Sequence, residues 1–281
     1  MSYLEGDKQD KRQSLKNYFP EYQSSFTFLF DYRRDKKKLD TFDSKRKVGG
    51  YAFGFSGEDY HYHIRESLDK ICSLYFSKSI HKVVVDTAPV LDRDLAYRSG
   101  LGWFGKNSML INRHVGSYFM IGHVLLNKKF NVTTLPMDTD HCGQCRKCID
   151  ACPTDAIIED SRTVDSNKCI PFFTIEKFKD DTIPPVGYDQ MSEVFGCDIC
   201  QEVCPWNERT LKYVEINDVR LSAKQNKIKE IFLDKSEDDL ELELQSMSKK
   251  EFVRQWKKTS FERTGRDGVL KNIKWKKKVK S

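Results

Sequence analysis

The hydrophobic positions change their period along the first half of the chain. Residues 24–32 (SSFTFLFDY) form an aromatic-rich run that predicts a buried strand. Ile64, Leu68, Ile71 and Tyr75 recur at helical spacing and predict an amphipathic helix. The same patterns predict further elements: strands at 82–86, 108–112 and 117–126, a helix at 91–99, and a highly charged loop at 33–47. This alternation of strands and helices indicates an α/β layer.

The chain after Pro205 turns helical and charged. Ser248 and Glu251 form the S-x-x-E pattern of a capping box, which predicts that a helix begins there. Apolar residues mark this helix and a shorter one before it: Phe252 and Trp256 in the former, Ile228, Ile231 and Phe232 in the latter. The sequence contains no run of 18 apolar residues and no apolar signal region at its N-terminus. We therefore expect a cytoplasmic protein without a membrane span.

The basic excess lies at the C-terminal end. The 281 residues carry a formal net charge of +6. Residues 248–281 hold 13 Lys/Arg and 3 Asp/Glu, a net charge of +10, which leaves −4 for the remainder. A basic end on a mildly acidic body indicates a polyanion partner, although a solvated tail without a partner explains such a run equally well. Trp275 among the lysines of KNIKWKKKVKS suits stacking on nucleic-acid bases.

Eight of the nine cysteines lie in one segment and form two copies of a motif. The first copy is C-x2-C-x2-C-x3-C-P, the ligand run of a bacterial-type ferredoxin. The second is C-x27-C-x2-C-x3-C-P, the same run with an insertion after its first cysteine. The fourth cysteine of such a run ligates the other cluster. We therefore assign two 4Fe–4S clusters, one to Cys142, Cys145, Cys148 and Cys204, the other to Cys152, Cys169, Cys197 and Cys200.

Two other roles for these cysteines are less favoured. Paired C-x2-C knuckles also bind zinc, but a third cysteine two residues on, followed by C-x3-C-P, is not a zinc pattern. Disulfides at such close spacing would be strained, and nothing in the chain is typical of a secreted protein. The ninth cysteine, Cys72, lies on the predicted helix at 64–75, and we interpret it as a packing residue.

Asp86 ends a short β-branched run, KVVVD, shortly before the Gly-rich stretch GLGWFGKNS. An acid at the carboxyl end of a buried strand is where α/β sheets place chemistry. On spacing alone, such an acid more often caps the following helix. Both roles stay open on the pattern alone.

Three groups of motifs occur together in this chain. They are VDTAPVLDRDLAYRSGLGWFGKNSMLIN ending at Asn112, the two cysteine runs with CDICQEVCPWN, and the pair YAFG and DYH at 51–54 and 59–61. Together they resemble the epoxyqueuosine reductase family, from about residue 1 to about residue 210. The joint occurrence is specific, whereas the cysteine runs alone match many ferredoxin-like proteins.

The resemblance implies an α+β fold in three parts. These are an α/β cobalamin-binding domain akin to reductive dehalogenases at 1–135, a ferredoxin-like module with two 4Fe–4S clusters at 136–210, and a helical C-terminal region with a basic tail at 211–281. The implied reaction reduces the epoxide of epoxyqueuosine, at the wobble position of a tRNA anticodon, to queuosine. It uses cobalamin and electrons passed through the clusters from an external flavodoxin- or ferredoxin-like donor. The protein is expected to be a monomer.

The resemblance also assigns roles to single residues. Asp86 matches the family's proton donor, and it must be protonated to act as a general acid. Residues expected around the cobalamin, besides Asp86, are Arg12, Tyr51, Gly105, Lys106 and Ser108.

The chain departs from the family pattern at its ends and at two internal positions. Met1 aligns inside the family's first domain, and the chain ends without the helical repeats of longer members. Pro171 stands where a serine is usual, and His123 where a glutamate is usual. Two alternatives stay open: an iron–sulfur electron carrier without cobalamin catalysis, which the absent N-terminal segment favours, and a corrinoid reductase of a small molecule, which the basic end disfavours.

Overall fold

The computed structural model describes residues 6–131, 136, 140–177, 183–188 and 191–278, with side chains up to 276. The helices are α1 (Asp7–Gln13), α2 (Leu15–Tyr18), α3 (Arg33–Leu39), α4 (Gly50–Phe53), α5 (Tyr60–Tyr75), α6 (Asp92–Arg98), α7 (Lys147–Asp150), α8 (Ile199–Glu202), α9 (Pro205–Lys212), α10 (Ala223–Ile228), α11 (Glu237–Ser246), α12 (Lys249–Gln255) and α13 (Ser260–Lys278). The strands are β1 (Ser24–Asp31), β2 (Lys47–Val48), β3 (His81–Val85), β4 (Trp103–Phe104), β5 (Leu110–Ile111), β6 (Phe119–Leu126), β7 (Ile157–Ile158), β8 (Thr163–Val164) and β9 (Glu193–Phe195). Among the described residues, π-helical turns lie at Phe172–Glu176, between β8 and β9, and at Lys229–Asp234, between α10 and α11.

The chain folds into two compact units. The first comprises Met1–Asp31, Tyr60–Gly105 and Met109–Gly143; the second comprises Tyr32–Asp59, Lys106–Ser108 and Gln144–Ser281. These units do not follow the division at 135 and 210, which stays a prediction. Residues 32–59 join the second unit because Val48, Ala52 and Phe53 are buried in the same core as Phe232 and Trp256.

A three-stranded antiparallel sheet with the order β1–β6–β3 forms the centre of the first unit. β6 pairs with β1 from Ser24↔Leu126 to Asp31↔Phe119, and with β3 from His81↔Leu126 to Val85↔Gly122. The three strands predicted at 24–32, 82–86 and 117–126 are therefore confirmed. The strand predicted at 108–112 is shorter, because only Leu110–Ile111 pair, with Trp103–Phe104.

Helix α5 packs on this sheet and confirms the helix predicted from residue 64. Its buried face contains Ile64, Leu68 and Cys72, whereas Tyr75 is 75% exposed, so the apolar stripe ends one turn earlier than the pattern indicated. Gly122 in β6 allows the close approach, because a Cβ there would lie 2.5 Å from Cγ2 of Ile64. Cys72 is a buried packing residue, as expected.

The charged stretch at 33–47 was predicted as a loop, and this prediction is wrong. It begins with α3 and ends with β2, which pairs in parallel with β9. Two lysines of α3, Lys37 and Lys38, donate to backbone carbonyls far along the chain: Lys37 Nζ donates to Leu211 at 3.1 Å and to Val214 at 2.7 Å. These acceptors are distant in sequence, so no local pattern shows that the lysines are bound. A run of charged residues without an apolar stripe therefore does not predict a helix.

An aromatic core holds the C-terminal helices together. The ring of Phe261 lies 4.2 Å from that of Phe232 and 4.2 Å from that of Phe195, measured between centroids. The predicted start at Ser248 is confirmed, since its hydroxyl accepts the N–H of Glu251 at 3.1 Å at the start of α12. A full reciprocal capping box also opens α10.

The last described part of the basic C-terminal end, residues 271–276, is not a solvated tail. It forms the last part of α13, and Lys271, Asn272 and Lys276 are buried there. Their side-chain nitrogens donate to six backbone carbonyls, those of Phe173, Lys177, Thr174, Val194, Tyr188 and Met191. These carbonyls all belong to the insertion between Cys169 and Cys197, so α13 anchors that insertion.

Trp275, expected to stack on bases, is partly buried against the apolar cluster of Ile170, Phe173 and Tyr188. The last part of the predicted tail, residues 279–281, lies outside the described residues. Within the described ranges, no helix is both long and apolar enough to cross a membrane.

Candidate functional site

A cavity of about 670 Å³ opens in the first unit, where β3 ends and α6 begins. This volume is typical of small-molecule and cofactor sites. Its wall is largely apolar with a few charged groups: Gln9, Arg12, Tyr60, Asp86, Val90, Leu91, Asp92, Arg93, Asp94, Phe104, Met109, Leu110, Ser117, Phe119, Met120 and Ile121. Two residues predicted at the active site, Arg12 and Asp86, are therefore brought to one cavity.

Asp86 directly follows β3, and the hydroxyl of Tyr60, at the start of α5, forms a hydrogen bond to its carboxylate. Tyr60 Oη donates to Asp86 Oδ2 at 2.5 Å, and His61 Nε2 lies 3.5 Å from the same oxygen. The Asp86 side chain nevertheless remains 54% exposed. It does not cap α6, whose first residue follows Leu91 without any side-chain cap. The carboxylate is thus oriented by neighbours and still accessible from the cavity.

Arg12 stands in the last turn of α1 and presents a buried donor to the same cavity. Among the described residues, none forms a hydrogen bond to its Nη1 atom. A buried N–H group without an acceptor costs free energy. The position therefore suits a ligand that brings a hydrogen-bond acceptor to the wall.

His123 lies in the middle of β6 and is fully buried behind the cavity. Its Nδ1 is 3.0 Å from Thr27 Oγ1, and its Nε2 is 3.2 Å from Oδ1 of Asp92, a lining residue. His123 itself does not line the cavity. Neither His123 Nε2 nor Asp92 Oδ1 has a hydrogen-bond partner among the described residues, so the effect of a histidine where the family resemblance implies a glutamate stays a prediction.

The residues expected in the Gly105–Lys106 turn and at Ser108 have defined local roles. Gly105 belongs to the first unit, where its N–H donates to the Met109 carbonyl at 2.8 Å. Lys106 and Ser108 belong to the second unit, where Lys106 Nζ donates to the Cys145 carbonyl at 3.0 Å. Ser108 has a left-handed φ of 64°. Their place around a cobalamin stays a prediction.

Tyr51 also belongs to the second unit, at the start of α4. Its ring lies 6.3 Å from that of Phe195, and desolvation raises the pKa of its hydroxyl well above the ordinary value. Its expected role at the cofactor likewise stays a prediction.

The cysteines assigned to the second cluster are partly buried and influence one another. Burial raises the pKa of the Cys169 thiol to about 11, and nearby Cys152 raises it further. Burial also raises the pKa values of Cys197 and Cys200, with Cys169 the next cause for Cys200. Desolvated thiols so close together are costly as thiolates unless cations neutralise them. An iron–sulfur cluster supplies that positive charge, and the assignment of these four cysteines to one cluster stays a prediction.

Backbone groups point at these sulfurs, as they do in iron–sulfur proteins. The N–H of Ala156 donates to Cys152 Sγ at 3.4 Å, and Pro205 begins α9 directly after the buried Cys204. None of the nine cysteines, all of which are described, forms a disulfide. Cys142 belongs to the first unit, where its N–H donates to Asp140 Oδ1 at 2.8 Å.

Two groups at the cavity, Tyr60 and Asp92, could not be predicted from the sequence pattern alone. Tyr60 stands in the DYH motif, but nothing in that motif shows that its hydroxyl meets Asp86. Asp92 looked like an ordinary acid in the first turn of a helix. The only local signal for either was its position in a motif of the family resemblance.

Comparisons with known proteins agree with this arrangement. A family model described as a 4Fe-4S double cluster binding domain matches residues 141–207, and one described as Epoxyqueuosine reductase QueG, DUF1730 matches residues 12–87. The epoxyqueuosine reductase of Cyclobacterium marinum is 36% identical over 94% of this chain and 79% of its own length.

Two solved structures are similar over 98% of this chain and 70% of their own chains. One is an epoxyqueuosine reductase with a tRNA-Tyr epoxyqueuosine-modified stem loop, at a TM-score of 0.78 and 27% identity. The other is the Bacillus subtilis epoxyqueuosine reductase with the catalytic loop of an aspartate swung out of the active site, at a TM-score of 0.76 and 26% identity. The mixed α/β chain with its double-cluster domain belongs to the epoxyqueuosine reductase family of oxidoreductases.

Proposed function

We propose that this protein reduces the epoxide of epoxyqueuosine in a tRNA anticodon to the alkene of queuosine. The observation that carries the proposal is the Asp86 carboxylate on the wall of the cavity, held by Tyr60 and accessible to a ligand. Support comes from the family, and from the relative that was solved with an epoxyqueuosine-modified stem loop.

The reaction needs two electrons and two protons, and the epoxide oxygen leaves as water. Protonated Asp86 gives a proton to that oxygen as the C–O bond breaks. The hydrogen bond from Tyr60 keeps the carboxyl group at the cavity wall. In the Bacillus subtilis relative a catalytic loop carries an aspartate, and Asp86 likewise stands in the loop between β3 and α6.

Cobalamin fits the cavity by chemistry. Its amide side chains are acceptors for the unsatisfied Nη1 of Arg12, and apolar residues such as Phe104 and Phe119 suit its ring. When bound, it supplies a reduced metal centre for breaking the C–O bond. Tyr51, Gly105, Lys106 and Ser108 are proposed contacts on the motif alone.

The two 4Fe–4S clusters, when bound, carry single electrons toward the reacting centre. We assign Cys142, Cys145, Cys148 and Cys204 to one and Cys152, Cys169, Cys197 and Cys200 to the other. A flavodoxin- or ferredoxin-like protein is the proposed donor, and the enzyme is proposed to act as a monomer in the cytoplasm.

Anaerobic purification tests the proposal. We expect about eight irons per chain, from two 4Fe–4S clusters, and a corrinoid that binds on reconstitution. With a chemical reductant, epoxyqueuosine in tRNA should lose one oxygen atom, detected by mass spectrometry of the nucleosides. Iron-loaded protein that binds no corrinoid and leaves the epoxide intact would instead be an electron carrier.

A further inference from the structure

Lys36 is a buried cation in the most charged stretch of the chain. It lies in α3 and is 1% exposed, whereas its neighbours Lys37 and Lys38 reach carbonyls nearer the surface. Burying a lysine is unfavourable unless carboxylates compensate the charge. The carboxylates that do so come from α3 itself and from the loop that carries the last three cysteines.

Two ion pairs hold the Lys36 ammonium group. One is with Asp40 on the same helix, and the other is with Glu202 Oε1 at 3.0 Å. Asp198 is a third carboxylate within electrostatic range. Burial lowers the pKa of Lys36, but these three carboxylates outweigh burial and raise the pKa above its ordinary value. Lys36 therefore carries a fixed positive charge.

Asp198 is built into the same arrangement. It is buried, and its Oδ2 accepts the N–H of Gly50 at 2.7 Å. A Cβ at Gly50 would lie 2.5 Å from Cδ of Lys36 and 2.9 Å from Oδ2 of Asp198. Because Gly50 has no side chain, the side chains of Lys36 and Asp198 can both pack against its backbone.

The arrangement is coupled to the cysteine loop 197–204. Asp198 and Glu202 both lie within it, the former directly after Cys197 and the latter two residues after Cys200. Asp198 is buried beside the ligand Cys197, and Glu202 forms its ion pair with Lys36 at 3.0 Å, so these carboxylates place negative charge next to the cluster ligands. Lys36 is the buried cation that opposes this negative charge.

We propose that Lys36 is a fixed counter-charge that raises the reduction potential of at least one of the two iron–sulfur clusters to which loop 197–204 supplies ligands. Reduction adds one negative charge to a cluster, and a nearby cation in a poorly polarisable interior stabilises that added charge. The carboxylate of Glu202 disfavours the added negative charge and should therefore lower the reduction potential. The inference rests on the cluster-binding part of the proposed function and concerns no step at the substrate.

Three variants test this role by redox titration of anaerobic protein, followed by electron paramagnetic resonance. Lys36→Met removes the cation and should lower the potential of at least one cluster. Glu202→Gln removes a carboxylate whose side chain is 30% exposed, and it should raise the cluster reduction potential. The matched control is Glu208→Gln, whose carboxylate pairs with Lys212 at 3.4 Å and is 56% exposed; it should leave both potentials unchanged.

Opposite shifts in Lys36→Met and Glu202→Gln support the proposal. Unchanged potentials, or shifts in the same direction, overturn it. If Lys36→Met fails to retain iron, Glu202→Gln against Glu208→Gln decides the question. If the wild-type protein binds iron but does not reduce the epoxide, the proposed function is wrong. The redox titration can still be carried out on that protein, because it requires only the clusters.

Discussion

The phenolic oxygen of Tyr60 lies 2.5 Å from Oδ2 of Asp86, so a tyrosine hydroxyl donates directly to the carboxylate on the cavity wall. The two residues come from motifs 26 positions apart, one opening α5 and the other ending β3. The hydrogen bond orients one carboxylate oxygen and leaves the side chain 54% exposed. This geometry suits an acid that must reach a bound substrate.

Asp86→Asn should abolish most turnover because asparagine cannot supply the proton. General acids contribute roughly 10²- to 10⁴-fold, and we expect a loss in that range. The measurement is conversion of epoxyqueuosine in tRNA at matched iron content. Asp69→Asn, an equal change on the exposed face of α5, is the control and should retain full turnover. Equal activity of the two variants would remove Asp86 from the mechanism.

Tyr60→Phe should have a smaller effect than Asp86→Asn. It removes one hydrogen bond to a carboxylate, worth about 1.5–3 kcal/mol, and keeps the ring. We expect turnover to fall by about tenfold to a hundredfold. Single-turnover assays with pre-bound tRNA separate this loss from substrate binding. Turnover at the wild-type level would show that the hydroxyl does not orient Asp86.

Arg12→Gln should weaken corrinoid binding by about tenfold, since a charged donor at the cavity wall is lost. Iron content should stay the same. Spectroscopic titration with a corrinoid measures the affinity. Lys11→Gln is the matched control on the same helix, because its ammonium group pairs with Asp7 at 2.6 Å on the surface. Equal affinities of the two variants would place the cofactor elsewhere.

Lys276→Met should destabilise the fold by about 1–3 kcal/mol. The substitution keeps the length of the side chain but leaves the carbonyls of Tyr188 and Met191 without their buried donor. The free energy of unfolding, measured by anaerobic denaturant titration, reports the change. The exposed Lys257→Met is the control and should be nearly neutral. A variant with full stability but weaker tRNA binding would instead return Lys276 to the polyanion-binding role.

Glu193 should make stability fall as the pH rises. Burial raises its pKa above the ordinary 4.5, although Lys47 and Lys276 oppose the shift. A raised carboxyl pKa means that the folded state holds the proton more tightly than the unfolded state. The contribution to stability is therefore complete below pH 4.5 and is lost as the pH rises through the folded pKa.

Glu193→Gln should consequently be more stable than the wild type at pH 8, and the difference should shrink as the pH is lowered toward 5. Denaturant titrations across this range measure it. Glu215→Gln, an exposed change, should follow the wild-type profile. A Glu193→Gln difference that is constant with pH would rule out titration of this group as its cause.

Local patterns along the chain are enough to predict several secondary-structure elements and the chemistry of the cluster ligands. Helix α5 follows from its helical apolar spacing, which places side chains on one face, and strands β1, β3 and β6 follow from short apolar runs. The spacing of the cysteines predicts two clusters, because each loop must wrap a metal centre with consecutive residues. Asp86 was identified as a candidate from its place after a buried strand and from the family resemblance.

Which charged side chains are buried, and what they bind, depends on contacts between distant parts of the chain. Lys36 donates a hydrogen bond to Glu202, which is 166 positions away in the sequence. Lys271 donates one to the carbonyl of Phe173, which is 98 positions away. The lysines of α3 therefore lie in a helix that contacts the cysteine loop 197–204. The basic residues at the end of α13 bind the insertion that follows Cys169. The physical reason is that the cost of burying a charge depends on its partners, and those partners are distant in sequence.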